Sequence, residues 1–157
     1  MIYRNATPGD IEAIVAFQLA MAQETEDLRL DREVCSAGVA AVFKDAARGQ
    51  FFVGERDGAV VGSAMITYEW SDWRNGVVWW IQSVYVVPRA RRHGVFRRLY
   101  SHIEQLARDS KVACGLRLYV ESANAAAQRT YARCGMVDTG YKVMEVDYSA
   151  RANAQGT

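Results

Sequence analysis

Apolar residues recur along the chain with two different periods, and the period changes near Phe51. Before Phe51 they fall three or four positions apart, which is the spacing of one helical face. After Phe51 several runs alternate or are continuously apolar, as strands are. The predicted strands are Ile2–Arg4, Phe51–Glu55, Ala59–Tyr68, Trp79–Val87, Gly115–Glu121, Val137–Asp138 and Tyr141–Val146. The four predicted helices follow Thr7, Asp31, Gly94 and Asn124, and Thr7 with Asp10 is the predicted capping pair of the first helix.

Turn residues punctuate this pattern and support its order. Asp57-Gly58 and Asn75-Gly76 are typical of tight turns between antiparallel strands. The element order is therefore β, α, α, β, β, β, α, β, α, β, β. It predicts an α/β fold with a mixed sheet in one domain over residues 1–148, followed by a disordered tail over residues 149–157.

The stretch from Trp79 to Tyr100 carries the strongest functional signal. Its apolar run is long enough for a strand buried on both faces, and Pro88 ends that strand. A basic loop with Gly94 follows and leads into a helix. Unpaired N–H groups and the positive end of the helix dipole make such a junction suitable for a phosphate. No Asp or Glu occurs between Val77 and Ile103 to repel an anion.

Composition and charge narrow the function classes. At 157 residues and a formal net charge of +1, the chain suits one soluble domain and gives no reason to expect bulk binding to nucleic acid or a membrane. The odd set Cys35, Cys114 and Cys134 has no metal-ligand spacing, so we expect no zinc site and no disulfide framework. The first ten residues lack the pattern of a signal peptide, and no apolar run reaches a membrane span, which predicts a cytoplasmic protein.

The loop sequence Arg91-Arg92-His93-Gly94-Val95-Phe96 resembles the pyrophosphate loop of the GNAT superfamily, the acyl-CoA-dependent N-acyltransferases. That loop has the pattern Gln/Arg-x-x-Gly-x-Gly/Ala after a strand. Phe96 departs from it, because a Gly or Ala is usual there. A bulky side chain at this position is compatible with a phosphate only if it turns inward with the helix's apolar face.

A second stretch, Val120–Met136, is similar to another GNAT signature. It has an Asn that opens a helix, a Tyr within the helix and a Gly just past it, here Asn124, Tyr131 and Gly135. The element order is also that of the GNAT fold. The resemblance thus covers nearly the whole chain and implies about seven strands, a central splayed parallel pair and four helices.

The resemblance implies acetyl-CoA as the acyl donor and a set of site residues. Tyr131 would be the general acid that protonates the leaving thiolate, and a backbone N–H near Val84, Tyr85 and Val86 would bind the carbonyl oxygen. The residues that would bind the cofactor are Val84, Tyr85, Val86, Arg91, Arg92, His93, Gly94, Val95, Phe96, Arg97 and Asn124. The oligomeric state stays open, although many relatives pair as homodimers.

The group that contacts the amine is harder to choose. Many GNAT members place a Glu on the central strand, but this strand has none. Carboxylates on neighbouring loops, Glu24, Glu26, Asp27, Glu69 and Asp72, are the candidates. Glu69 is our choice, because tryptophans interleaved with carboxylates suit a cationic acceptor through charge pairing and cation–π contact. A solvated loop whose tryptophans cover the rim of the core is the other interpretation.

Three function classes therefore stay open. The first is an acyl-CoA-dependent N-acetyltransferase acting on a small-molecule or peptide amine. The second is a regulatory domain that keeps the fold and the cofactor without turnover, which Phe96 and the missing central-strand Glu favour. The third is a nucleotide or nucleic-acid binder, which is weak because the loop lacks the Gly-Lys-Ser/Thr ending of a P-loop.

Overall fold

Five strands and four α-helices form within residues 1–149, the part of the chain that the computed structural model describes. They are β1 (Ile2–Asn5), α1 (Ile11–Glu26), α2 (Arg32–Lys44), β2 (Gln50–Arg56), β3 (Ala59–Ser71), β4 (Gly76–Val86), α3 (Val95–Asp109), β5 (Ala113–Arg117) and α4 (Ala125–Arg133). Two compact units contain them, residues 1–124 and the residues from Ala125 onward. The first nine predicted elements are confirmed in their order.

The sheet has the order β1-β2-β3-β4-β5. All neighbours pair antiparallel except β4 and β5, which are parallel. Asp57 and Gly58, with φ of 53° and 77°, form the predicted tight turn between β2 and β3. Positive φ at both central residues gives this turn the twist that joins antiparallel strands.

The core lies on both faces of this sheet. On one face α1 and α2 cover β2, and Ile14, Val15, Val39, Phe51 and Val53 form a buried cluster there. On the other face α3 buries Leu99 and Ile103 completely. The buried residues of each helix follow the three-and-four spacing of the sequence, and burial of these side chains is the main stabilising contribution.

The expected number of strands is wrong, since the described residues hold five rather than about seven. The predicted last hairpin, Val137–Asp138 and Tyr141–Val146, has no strand. Residues 136–148 form no regular turn either, although Gly140 has φ 76° and its N–H donates to Asp138 Oδ1 at 2.8 Å. Two short strands need a third strand or a packed face to be stable, and the Tyr141 and Met144 side chains are exposed.

The C-terminal tail predicted over residues 149–157 lies, apart from Ser149, outside the described residues. Cys35, Cys114 and Cys134 form no disulfide. Among residues 1–149, no helix combines the length and apolar character needed to cross a bilayer.

A charged network ties β1 to the start of α1. Arg4 donates to both carboxylate oxygens of Asp10, at 2.8 and 3.0 Å, and also pairs with Glu55 at 2.8 Å. The N–H of Thr7 donates to Asp10 Oδ2 at 2.7 Å, so the predicted capping pair is confirmed at the 3-10 turn Pro8–Asp10. Asp10 is 6% exposed, and this network is what makes its charge acceptable there.

The Asp10 carboxylate predicts a loss of stability in acid. Its hydrogen bonds with Arg4, aided by those from Thr7, lower its pKa from 3.8 to about 2. A lowered native pKa adds stability above the unfolded value, and this is lost as the pH falls from about 4 to about 2. The expected loss is about 2 kcal/mol. Urea unfolding at pH 5 and pH 2 measures it, and Asp10→Asn should lose correspondingly less over this range; an equal loss in both proteins would contradict the assignment.

Candidate active site

A bulge interrupts β4 where the oxyanion-binding N–H is expected. Ser63 lies opposite Tyr85 and Met65 opposite Gln82, so Ser83 and Val84 together face one residue of β3. Ser83 has φ 52°, a conformation that costs a non-glycine residue about 1 kcal/mol or more. The extra residue disrupts the ladder locally and changes the direction of the backbone N–H groups near Val84.

Beside this bulge, β4 has an unpaired edge. Pairing with β5 ends at Trp80 and Arg117, whereas β4 continues to Val86. The N–H of Val87 donates to Val61 O in β3 at 3.0 Å. The carbonyl of Val86 belongs to the same peptide unit and therefore points away from β3, toward the unpaired edge. The parallel pair separates as expected, and the separated part could accept an added strand.

The loop after β4 leads into α3 with its amide groups at the helix start. Arg92 and Gly94 are left-handed, with φ of 65° and 75°. The first helical hydrogen bond runs from Arg98 N–H to Gly94 O at 3.1 Å, so the N–H groups of Val95 and Arg97 precede the ladder. No described heavy atom lies within 4 Å of a Cβ built on Gly94, so the turn is open to a ligand.

The side chains of this loop differ in exposure and packing. Arg92, His93 and Arg97 are exposed. Val95 packs into a small core with Val61 and Ala90, so only its backbone is available to a ligand. The Phe96 ring lies 6.1 Å from that of Tyr100, one helical turn further on, and Phe96 is half-buried. Its side chain therefore turns along the helix, as the basic loop requires.

Arg91 is held at two points. Its Nε donates to Val86 O at 2.8 Å, and its Nη2 donates to Glu24 Oε2 at 2.5 Å. The Tyr85 hydroxyl donates to the other oxygen of Glu24 at 2.7 Å, and the guanidinium lies over the Tyr85 ring at 5.3 Å. The prediction that Glu24 lies in a loop is wrong, since it lies in the last turn of α1. The sequence also did not connect Glu24 to Tyr85 and Arg91, because 61 and 67 positions separate it from them.

Glu69 belongs to a second cluster, formed with Trp80, Arg117 and Tyr119. The Trp80 indole N–H donates to Glu69 Oε2 at 2.5 Å, and Arg117 Nη1 donates to Oε1 at 2.9 Å. Arg117 lies over the Trp80 ring at 5.9 Å, and the Tyr119 ring lies 5.6 Å from that of Trp80. Both oxygens of the carboxylate therefore have protein donors. Trp70 and Trp73 nearby in sequence are 63% and 93% exposed.

In the second unit, α4 carries the remaining motif. Asn124 directly precedes its first residue, and Gly135 ends it in a left-handed conformation with φ 82°. The N–H of Met136 donates to Tyr131 O at 3.1 Å, a bond typical of a glycine-terminated helix end. Burial raises the pKa of Tyr131, and Cys134 raises it further. The phenol is therefore protonated at neutral pH.

Comparison of the chain with known proteins identifies its family. The model of the Acetyltransferase (GNAT) family matches residues 16–136, and the chain belongs to that family. A structure from Clostridium difficile 630, described as a possible acetyltransferase, is 39% identical with TM-score 0.86, over 93% of this chain and 96% of that one. No curated protein is similar enough in sequence to match.

Two more distant structures share the fold alone. One is described as a predicted acetyltransferase with acetyl-CoA from Clostridium acetobutylicum, 15% identical with TM-score 0.72, over 93% of this chain and 95% of that one. The other is described as a transcriptional regulator from Bacillus halodurans C-125, 17% identical with TM-score 0.78, over 94% and 99%.

Proposed function

We propose that this protein is an N-acetyltransferase that transfers an acetyl group from acetyl-CoA to a primary amine of a cationic acceptor. The observation that carries the proposal is the succession of bulge, unpaired β4 edge and open amide turn within residues 82–98 of a GNAT chain. These features supply, in order, an oxyanion donor, an edge for the pantetheine amides and a phosphate-binding turn. Attack would be direct, with both substrates bound.

The residues present fit the cofactor. The backbone at Gly94 and Val95 and the exposed side chains of Arg92, His93 and Arg97 would hold the diphosphate. Val84, Tyr85 and Val86 would pair with the pantetheine arm through their backbone, and Asn124 would order its surroundings. When bound, acetyl-CoA supplies an acyl group activated as a thioester.

The chain's own groups then divide the chemistry. The N–H near Val84 stabilises charge on the carbonyl oxygen, and such preorganised donors contribute a few kcal/mol. Tyr131 protonates the departing thiolate. Glu69, with the aromatic rings of Trp80 and Tyr119 beside it, contacts the cationic acceptor and draws it toward the cleft.

Ligand-induced stabilisation tests the cofactor assignment. Acetyl-CoA at about 100 times its Kd should stabilise the protein by about 2.7 kcal/mol, and ATP at the same concentration should have a much smaller effect. Thermal unfolding with each ligand measures this. Arg92→Ala should weaken the acetyl-CoA effect, whereas Arg108→Ala, at the far end of α3, should not. Equal stabilisation by ATP would favour a nucleotide binder instead.

A catalytically weak acyl-CoA-binding regulatory domain is the second candidate. Gln82 occupies the strand where many relatives place a Glu, and a transcriptional regulator shares the fold. Thiol release from acetyl-CoA in the presence of a panel of amines separates the two. Stabilisation by acetyl-CoA without any thiol release would favour the regulatory domain.

A further inference from the structure

We propose that Glu24 is the carboxylate that removes the proton from the acceptor amine, and that Arg91 occupies it until acyl-CoA binds. The inference rests on the proposed acetyltransferase function and names a catalytic residue for it. It follows from where Glu24 lies along β4 and from what its two oxygens bind.

A general base must lie within hydrogen-bond reach of the reacting nitrogen, directly or through one water. The acyl carbonyl is expected at the bulge, beside Val84. Glu24 reaches the adjacent residue, since the Tyr85 hydroxyl donates to it at 2.7 Å. Tyr85 points to the face that α1 covers, where its ring lies 5.3 Å from that of Phe17. The Glu24 side chain is 40% exposed at the end of α1, so an acceptor can approach it.

The other carboxylate of the proposed acceptor side is less well placed. Glu69 lies opposite Val78, six residues before Val84 on β4, which is roughly 20 Å of strand. Both Glu69 oxygens accept hydrogen bonds, from Trp80 and Arg117. Glu69 therefore suits attraction of the distal positive charge of an acceptor, while Glu24 suits contact with the reacting amine.

Arg91 couples this base to the cofactor. Hydrogen bonds from Arg91 and then from Tyr85 lower the pKa of Glu24, which makes it a weak base in the free protein. The same guanidinium holds the carbonyl of Val86, which points to the edge where pantetheine amides would pair. A pantetheine N–H would compete with Arg91 for the Val86 carbonyl, and a diphosphate at the loop would compete with Glu24 for the Arg91 guanidinium. Cofactor binding thus withdraws Arg91 and restores the basicity of Glu24.

The Glu24 carboxylate takes one proton from the protonated amine and releases it to solvent, and the neutral nitrogen then forms the C–N bond and gives a second proton to Glu24. The C–S bond breaks, and its electron pair leaves on the thiolate, which takes a proton from Tyr131. Glu24 releases this second proton to solvent and a solvent proton restores the Tyr131 phenol, so the net products are the amide, the free thiol and one proton.

Glu24→Gln tests the proposal, because the amide oxygen can still accept from Tyr85 while the charge is lost. At pH 7 we expect kcat to fall about 100-fold, with acetyl-CoA binding unchanged or tighter because Arg91 loses its competing partner. The deficit should shrink toward a few-fold at pH 10, where more of the amine is already neutral. Glu26→Gln, two residues away on the same helix end, is the matched control and should keep wild-type kcat.

The readouts separate the failure of this inference from that of the acetyltransferase assignment. If the wild type releases no thiol with any amine, the proposed function fails. If the wild type is active and Glu24→Gln retains its kcat, or loses it equally at every pH, Glu24 is not the base. Thermal unfolding of both variants shows whether α1 stays packed. Should Glu24→Gln unfold early, Glu24→Asp, which keeps the carboxylate, is expected to recover kcat, and a variant that stays inactive overturns the role.

Discussion

Replacing Gly49 by Ala is expected to lower the free energy of unfolding by about 3 kcal/mol, a fall in Tm of roughly 6 to 12 °C for a chain of this size. A Cβ on Gly49 would lie 2.3 Å from the main-chain carbonyl oxygen of Ile66. That oxygen belongs to β3, inside the sheet, and cannot rotate away as a side chain would. Gly49 also has φ 142°, which adds strain for any residue with a Cβ.

Gly38→Ala is the control of opposite sign. Gly38 lies within α2, and nothing described lies within 4 Å of its added Cβ. Alanine there should stabilise the protein by about 0.5 to 1 kcal/mol, because glycine loses more backbone entropy in a helix. Thermal or urea unfolding of both variants measures the pair. A Gly49→Ala protein that unfolds within a degree of wild type would show that the β3 backbone moves aside.

Local rules were enough to predict the order of elements through α4. The Asp57-Gly58 turn, the Pro88 strand end and the Thr7 to Asp10 cap each act over a few residues, and each is found where the sequence placed it. The last predicted hairpin is absent because local rules do not decide whether two short strands pair. Only the local bond of Gly140 N–H to Asp138 forms, because the strands depend on pairing with other parts of a sheet, which alternation alone does not provide.

The site was predictable as a region but not as a set of contacts. The apolar run Trp79–Val87 reads as one continuous strand, and nothing in such a run reveals which residue is the extra one in a bulge. The bonds that join Glu24 to Tyr85 and Arg91, and Glu69 to Arg117, connect residues 48 to 67 positions apart. A single sequence carries no information on such pairs, because side-chain hydrogen bonds depend on the register of distant elements.

The arginines of the basic loop differ in their protein contacts. Its arginines looked equivalent in sequence, since all stand in one run without acids. In the folded chain Arg91 is paired with Glu24, whereas Arg92 and Arg97 are exposed. Arg92 and Arg97 can thus bind a diphosphate without breaking an ion pair. Arg91 must first give up its ion pair with Glu24.

Tyr131→Phe is expected to lower kcat by about 100-fold to 1000-fold with saturating acceptor, while acetyl-CoA binding stays close to wild type. The change removes one hydroxyl and leaves the ring, so α4 should stay folded. Burial, with Cys134 adding to it, raises the pKa of Tyr131 above its ordinary value of 10. An acid with a raised pKa stays protonated up to that pKa and is lost only above it. The alkaline side of the wild-type profile should therefore show no loss from Tyr131 below about pH 10.

Tyr141→Phe is the matched control for Tyr131→Phe. Tyr141 is 85% exposed and has no part in the proposed mechanism, and the same hydroxyl is removed there. Its kcat should match that of the wild type. Because a thiol has a pKa of about 8.5, a thiolate can leave without full proton transfer when the phenol only donates a hydrogen bond. An acyl donor with a more acidic thiol should then narrow the Tyr131→Phe deficit, and an unchanged kcat with acetyl-CoA itself would remove Tyr131 from the mechanism.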